Sequence, residues 1–436
     1  VLKRTAKLVV TTFVAATLTV SLAACAKGGT TSTNNAATPG GAQTLTMWTH
    51  NAGNKAELAA IQQIVTDYNA SQTKYKVDVQ AFPQDSYNQS VVAAAAAKKL
   101  PCILDIDGPN VPNWAWAGYL APLQGMDDTL GKFLPSVLGK WNDKTYSYGY
   151  YDVALNFTTR TSTLKKYGIR IPTIDKPWTA DELTAALTKI RDSGDFKYPL
   201  DLQTSSTGEW WPYAYSPFLQ SFGGDLINRN DYKSAQGALN GPQALAWAKW
   251  FRGLVTDKFM PLKSGTDPAA DFLNGKTAII YNGSWGAADA RKKFGDDVLF
   301  IPPVDLGNGP KIGGGSWQWG ITTGCADQAG ATDYMKFAAQ DKYVASVSTA
   351  TGTIPATDAA AQQVKGFEKG GENEIFRQFS QKFAVLRPPT PGYPFIATEF
   401  TKTAQDILNG ADPQQALDQA VKDIDANQSS NNYFQQ

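Results

Sequence analysis

Apolar residues along this chain recur in two rhythms, and the way the rhythms alternate predicts its architecture. Residues 45–48 and 76–81 alternate apolar and polar positions as half-buried strands do, whereas residues 57–68 carry Leu58, Ile61, Val65 and Tyr68 on one helical face. Residues 86–98 suit an alanine-rich helix, and residues 102–106 are a short apolar run of the kind a fully buried strand shows. The order strand, helix, strand, helix, strand predicts parallel strands with helices on the faces of the sheet. Ligands of such sheets sit beyond the carboxyl ends of strands, here at His50 and at residues 107–110.

A second unit is expected after the tyrosine-rich residues 146–151. Thr179 and Glu182 have the spacing of a capping box, with Leu183, Leu187 and Ile190 following on one face. Trp247, Trp250, Phe251 and Leu254 make an i, i+3, i+4, i+7 stripe that predicts a buried helix face within residues 241–255. Asn274-Gly275 ends a helix before a strand at 277–281, a glycine-rich loop at 313–316 runs into a strand at 321–323, and Asp412-Pro413 opens a last helix. No internal repeat is visible.

The first forty residues follow neither rhythm. Lys3, Arg4 and Lys7 precede an apolar run from Leu8 to Leu22, and the run closes on Ser21-Leu22-Ala23-Ala24-Cys25. An apolar run this short and so flanked suits an export leader better than a retained span of roughly 20 residues. Small residues before a cysteine form a lipobox, so residues 1–24 read as a lipoprotein signal peptide and Cys25 as the acylated residue. Residues 25–42 consist almost wholly of Gly, Ser, Thr, Asn and Ala, a composition that suits a flexible tether. The expected product is anchored by lipid on the outer face of a membrane.

About 390 residues remain, more than one hydrophobic core of roughly 250–300 residues serves, so two domains are expected. Loss of Lys3, Arg4 and Lys7 turns 40 basic against 39 acidic side chains into 37 against 39, a net charge of about −2 that argues against nucleic acid as a partner. One histidine, His50, leaves no material for a histidine-based catalytic site or a zinc site, and no metal or other cofactor is expected. Cys102 and Cys325 either pair or stay as two buried thiols; spacing does not decide between these. The departure from ordinary composition is aromatic, with 12 Trp and 18 Tyr, most of the Trp lying outside helical core patterns.

The chain resembles the extracellular solute-binding lipoproteins of ABC importers, in the maltose-binding-protein-like branch that takes sugars and oligosaccharides. The resemblance rests on Leu45-Thr46-Met47-Trp48-Thr49-His50, Asp105-Ile106-Asp107-Gly108, Gly118-Tyr119-Leu120-Ala121-Pro122-Leu123 and Lys165-Lys166-Tyr167-Gly168-Ile169, with Pro177-Trp178-Thr179-Ala180-Asp181-Glu182-Leu183. Asn274-Gly275-Lys276-Thr277-Ala278 leading to Gly283-Ser284-Trp285, and Arg387-Pro388-Pro389 with Tyr393, complete it. The Tyr-Asn-Lys usual in the family is replaced here by Thr159-Arg160-Thr161, so no ligand role carries over to those positions. The resemblance implies an α/β, two-lobe periplasmic-binding-protein-like fold with a hinge and a ligand cleft between the lobes. It places lobe 1 at 43–151 plus 282–330 and lobe 2 at 152–281 plus 331–430, with crossings near Tyr151, near Asn282 and at 327–331.

A neutral sugar packs its C–H face on aromatic rings and its hydroxyls on paired donors and acceptors. Candidates of both kinds are His50, Asp107, Asn110 and Trp116 at the first strand ends, and Tyr151 at a crossing. On the second lobe, Trp210 and Trp211 are both candidates: in an extended loop two adjacent Trp cannot both face one core direction, so one is expected to face the cleft; Trp285, Ser316 and Trp317 follow glycines that let backbone approach a ligand. Arg387 and Tyr393 sit in a stiff proline-rich loop, where Arg387 either donates to sugar hydroxyls or clamps a lobe through a salt bridge.

The reading is a monomeric binding protein without catalytic activity that delivers an oligosaccharide, of raffinose type or an α-linked glucoside, to the membrane permease subunits of an ABC importer. The alternatives are a peptide-binding or adhesion lipoprotein and a surface glycosidase using Asp105 and Asp107. Glycoside hydrolysis needs two carboxylates roughly 5–10 Å apart on opposite sides of the bond, and no second acid stands out near this pair.

Overall fold

Strand β1 (Gln43–Thr49) buries Leu45, Met47 and Thr49 on alternate positions, as its sequence pattern requires, and becomes an inner strand of the first sheet. The computed structural model describes residues 42–435; the leader, Cys25 and the tether up to residue 41 fall outside the described residues. From β1 the chain enters the helix Lys55–Ser71, which buries Ile61, Ile64, Val65 and Tyr68. It returns as β2 (Tyr75–Ala81), parallel to β1 with Leu45 opposite Val77. A second helix, Gln84–Ala96, leads to β3 (Ile103–Asp107), buried throughout and parallel to β1 on its other side. Next come β4 (Leu120–Ala121) and the hairpin of β5 (Leu138–Trp141) and β6 (Lys144–Tyr148).

The chain then crosses, through the short β7 (Tyr151–Asp152), into a second sheet. That sheet is built from β8 (Leu155–Arg160), β9 (Tyr198–Asp201), β10 (Thr277–Gly283) and β11 (Val298–Ile301), in the order β11-β8-β10-β9. After β12 (Ile312–Gly313), strand β13 (Trp317–Thr322) re-enters the first sheet between β3 and β6, antiparallel to both. The first sheet thus reads β2-β1-β3-β13-β6-β5, with β4 on β13. A third connection carries β14 (Ile354–Pro355), paired with β7, and β15 (Ala384–Val385) pairs with β12.

Pairing moves two boundaries from where the sequence places them. Strand β11 pairs with β8, Val298 opposite Arg160, so residues 282–301 stay with the second sheet and the return falls between β11 and β13 rather than at Asn282. Helices Gln328–Ala338 and Asp341–Thr351 pack on the first-lobe helix Lys55–Ser71: the hydroxyls of Tyr68 and Tyr343 donate to Asp333 and Asp67 at 2.9 and 3.0 Å. The third connection therefore follows Thr351 instead of lying at 327–331. Strand partners distant along the chain set these crossings, and such partners leave no local signal. Strand β13 also begins at Trp317, four residues earlier than the apolar run suggests, because Trp317 pairs with Asp107.

Local signals are otherwise followed closely. Thr179 and Glu182 form the reciprocal capping box of helix Ala180–Ser193, and Asp412 accepts from the Gln415 amide ahead of Pro413. Trp247 is fully buried and stacks between Phe251 and Phe400 at 5.5 and 5.4 Å. Cys102 and Cys325 are disulfide-bonded, closing the ends of the paired strands β3 and β13.

The connections converge on one buried carboxylate. Asp152 Oδ2 accepts from Ser380 Oγ at 2.7 Å and Ser136 Oγ at 2.9 Å, while Oδ1 accepts from the Val153 amide at 2.8 Å and the Gly315 amide at 3.2 Å. Burial raises its pKa and those hydrogen bonds oppose the rise. Hydrogen bonds to a charged group contribute about 1.5–3 kcal/mol each, and orphaned donors add cost. Asp152→Ala is expected to lower stability by about 3 kcal/mol in urea unfolding; a loss below about 0.5 kcal/mol would show that the four bonds do not hold the connections.

Candidate functional site

The carboxyl ends of β1, β2 and β3 open onto a cleft of about 660 Å³ that is lined from both lobes. Each parallel strand delivers polar residues to it. After β1 come His50, Asn54 and Glu57; after β2, Gln84, Asp85 and Asn88; at the end of β3, Asp107. The opposite wall carries Glu209, Trp210 and Tyr213 around the start of helix Trp210–Ser221, with Trp285 just beyond β10.

Aromatic surface is presented in two places. Trp317 stacks face to face on His50, ring centroids 3.6 Å apart and 12° from parallel, with Tyr87 edge-on at 5.8 Å. His50 Nδ1 in turn lies 2.5 Å from Asp105 Oδ2, which also accepts from Thr49 Oγ1 at 2.9 Å. Burial lowers the His50 pKa, but Asp105 above all, with Glu57 and Asp107, outweighs burial and leaves the ring more basic than usual. The stack is thus an imidazole fixed from behind and an indole laid over it. Across the cleft Trp210 and Trp285 meet edge-on at 6.4 Å, and the Trp210 Nε1–H is already used on the Leu202 carbonyl at 3.2 Å. Gly283 makes room for Trp285: a Cβ there would lie 2.0 Å from the indole.

Charge is concentrated at the rear. Arg387 Nη1 donates to Glu209 Oε2 at 2.8 Å, Nη2 lies 3.4 Å from Asp107 Oδ1, and the guanidinium sits 5.1 Å over the Tyr213 ring. Tyr393 Oη donates to the same Glu209 oxygen at 2.7 Å. Arg387 therefore ties the end of β3 in the first lobe to the start of a second-lobe helix. Burial raises the Asp107 pKa to about 6, Arg387 pulling it down and Glu209 pushing it up. Burial raises Glu57 as well, although it accepts from Tyr151 Oη at 3.0 Å and Asn54 Nδ2 at 2.9 Å.

Of the residues singled out from sequence, His50, Asp107, Tyr151 and Trp210 line the cleft, as do Trp285, Ser316, Trp317 and Arg387. Four lie elsewhere. Asn110 is buried in the turn behind Asp107, and Trp116 ends the short helix Val111–Trp116 and packs edge-on against Phe434 at 5.1 Å. Trp211 is in the core, its Nε1–H on the Ser206 carbonyl at 2.9 Å, and Tyr393 is buried behind Glu209. The pair Trp210-Trp211 opens a helix rather than lying in an extended loop, and the turn of the helix sends the two rings apart. The glycines before Ser316 serve protein contacts first: a Cβ at Gly313 would lie 2.3 Å from the Tyr213 carbonyl oxygen, and one at Gly314 2.9 Å from Ala384. Glu57, Asp85, Asn88 and Glu209 were missed. The rule of strand ends that points to His50 and Asp107 also points to the residues after β2, and Glu209 stands beside Trp210.

The family of bacterial extracellular solute-binding proteins matches residues 63–374. The chain belongs to that family. As a solute-binding protein it is 24% identical over 360 residues to the diacetylchitobiose binding protein DasA of Streptomyces coelicolor, across 80% of this chain and 81% of the relative. It is 25% identical over 419 residues to the sn-glycerol-3-phosphate-binding periplasmic protein UgpB of Rhizobium meliloti, across 87% and 93%. The GacH receptor of Streptomyces glaucescens, a solved structure, superposes with a TM-score of 0.74 at 22% identity, over 89% of this chain and 98% of the receptor, which shows the same fold. Among the described residues, no cluster of potential ligands could hold a metal ion, and no helix is long and apolar enough to cross a membrane.

Removing one partner of a buried ion pair costs about 3–5 kcal/mol because the other charge is stranded. Arg387→Ala strands both Asp107 and Glu209, and we expect a loss of about 3 kcal/mol in chemical unfolding. A variant as stable as the parent would mean that Arg387 does not clasp the lobes.

Proposed function

We propose that this solute-binding protein is the extracellular receptor of an ABC importer, that it captures an oligosaccharide in the cleft, and that it hands the sugar to permease subunits without catalysing any reaction. The observation that carries the proposal is the pairing of aromatic faces with hydrogen-bonding groups inside one cleft: Trp317 on one lobe, Trp210 and Trp285 on the other, and amides and carboxylates between them. Rings of this kind stack on the C–H faces of pyranoses, and the polar groups match hydroxyls. The names of relatives agree, DasA being a diacetylchitobiose binder and GacH having been solved with acarbose. UgpB is named for a phosphate ester, but the cationic Arg387 here is already taken up by Glu209 and Asp107, which disfavours an anionic ligand. Raffinose-type sugars and α-linked glucosides remain the sugars to try first.

A glycosidase is a poor fit to the same residues. Asp105 is buried beneath His50 and does not line the cleft, so it is not available as the second carboxylate to Asp107. Anchoring through Cys25 is proposed from the leader pattern. Cys25→Ser is expected to release the protein from the membrane fraction, and retention there would defeat the anchor.

The proposal is tested by a thermal-shift screen against mono- to tetrasaccharides. A ligand at a hundredfold excess over its Kd stabilises the native state by about 2.7 kcal/mol, and Trp317→Ala should abolish the shift. No shift with any sugar, in protein shown to be folded, would turn the proposal toward peptides. Affinity should also depend on pH. Asp107 accepts a sugar hydroxyl when ionised, and its pKa near about 6 means that acidification through that value replaces the acceptor by a proton. Binding measured by calorimetry is expected to weaken as pH falls below about 6, and Asp107→Asn to remove that inflection.

A further inference from the structure

The charge balance of the cleft narrows the ligand further than its aromatic walls do. Four carboxylates line it, Glu57, Asp85, Asp107 and Glu209, and the cationic side chains among the lining residues are Arg387 and His50. Neither cation is available to a ligand anion. Arg387 is engaged by Glu209 and Asp107, and His50 by Asp105 behind it. Glu57 is held by the neutral donors Tyr151 and Asn54, and Asp85 accepts only the Thr207 hydroxyl, 3.4 Å away across the mouth of the cleft.

Acceptors are in excess on this wall in another respect. Asn88, which lines the cleft, keeps its Oδ1 buried without a donor. At the rear, the Arg387 side chain is 7% exposed and its buried Nε–H has no acceptor within the protein. A neutral saccharide can offer hydroxyls to all of these groups. Closing two lobes over it, however, leaves the surplus negative charge in a site emptied of water, where an uncompensated carboxylate is costly. Burial, then Asp105 against the opposing pull of His50, raises the Glu57 pKa, and burial and Glu209, against Arg387, raise that of Asp107. A positive charge on the ligand reduces the imbalance.

We infer that the ligand is an oligosaccharide with a protonated nitrogen, an amino or imino sugar unit, whose charge faces Glu57 and Asp85 while its ring oxygens and hydroxyls meet Arg387 and the aromatic walls. This rests on the saccharide reading above and names the class within it. Acetylation of the nitrogen would remove the charge and the advantage with it. Asp85 is the specificity-determining residue that a substitution can reach safely, since it is exposed and lies in the first turn of its helix.

The test is calorimetric titration of the protein with matched disaccharides in α and β linkage, each as the neutral sugar, the 2-amino sugar and the 2-acetamido sugar, together with glucose and its imino analogue. In at least one set the basic form should bind about tenfold more tightly than its neutral counterparts. That preference should shrink with added salt and in Asp85→Asn. Neutral sugars binding as tightly as basic ones would overturn the inference and leave the saccharide reading standing. Binding of no sugar, with a basic tripeptide such as trilysine bound instead, would overturn both.

Discussion

A single buried ion, Asp152, fixes how the two sheets are joined. Its four donors come from separate stretches of chain: Ser136 before β5, Val153 beside it in the first connection, Gly315 in the second, and Ser380 in a second-lobe helix. The third connection is tied to the same point because β14 pairs with β7, which contains Asp152. A carboxylate in the interior is tolerated only when its lone pairs are met, so these segments must arrive together or not at all. Functional geometry hangs from the same point. Gly315, held by Asp152, is followed by Ser316 and Trp317, and Trp317 enters β13 opposite Asp107 and lies on His50.

The cleft is built in the opposite manner from the hinge. At Asp152 every donor and acceptor is matched within the protein, whereas the cleft keeps Asn88 Oδ1 and Arg387 Nε without partners and holds Glu57 and Asp107 above the usual carboxylate range. Such groups subtract from the stability of the unliganded protein, and a ligand that satisfies them recovers the loss as affinity. Arg387 belongs to both regimes. Its bonds to Glu209 and Asp107 tie the lobes, and its buried Nε–H is left without an acceptor.

Identity of 22–25% to DasA, UgpB and GacH is enough to keep the fold and too little to keep a ligand. What is shared with the GacH receptor is the fold, at a TM-score of 0.74. Asp85, Glu209, Trp210 and Trp285, which line the cleft, stand on loops and helix starts that can change without disturbing the core.

Local order was legible in the sequence. The alternation at Leu45, Met47 and Thr49, the helical face of Ile61, Val65 and Tyr68, the capping box at Thr179 and the buried stripe at Trp247 depend on interactions within a few residues, and all take the form their spacing dictates. The strand-end rule located His50 and Asp107, since the position of a parallel strand's carboxyl end follows from chain direction alone. Tertiary structure alone decided which elements pair across long separations: β11 with β8, β13 between β3 and β6, and Cys102 with Cys325. It also decided that Trp210 faces the cleft while Trp211 and Trp116 pack against protein, and that Arg387 is a clasp. Those outcomes depend on what lies opposite a side chain in space, and a sequence records only what lies beside it along the chain.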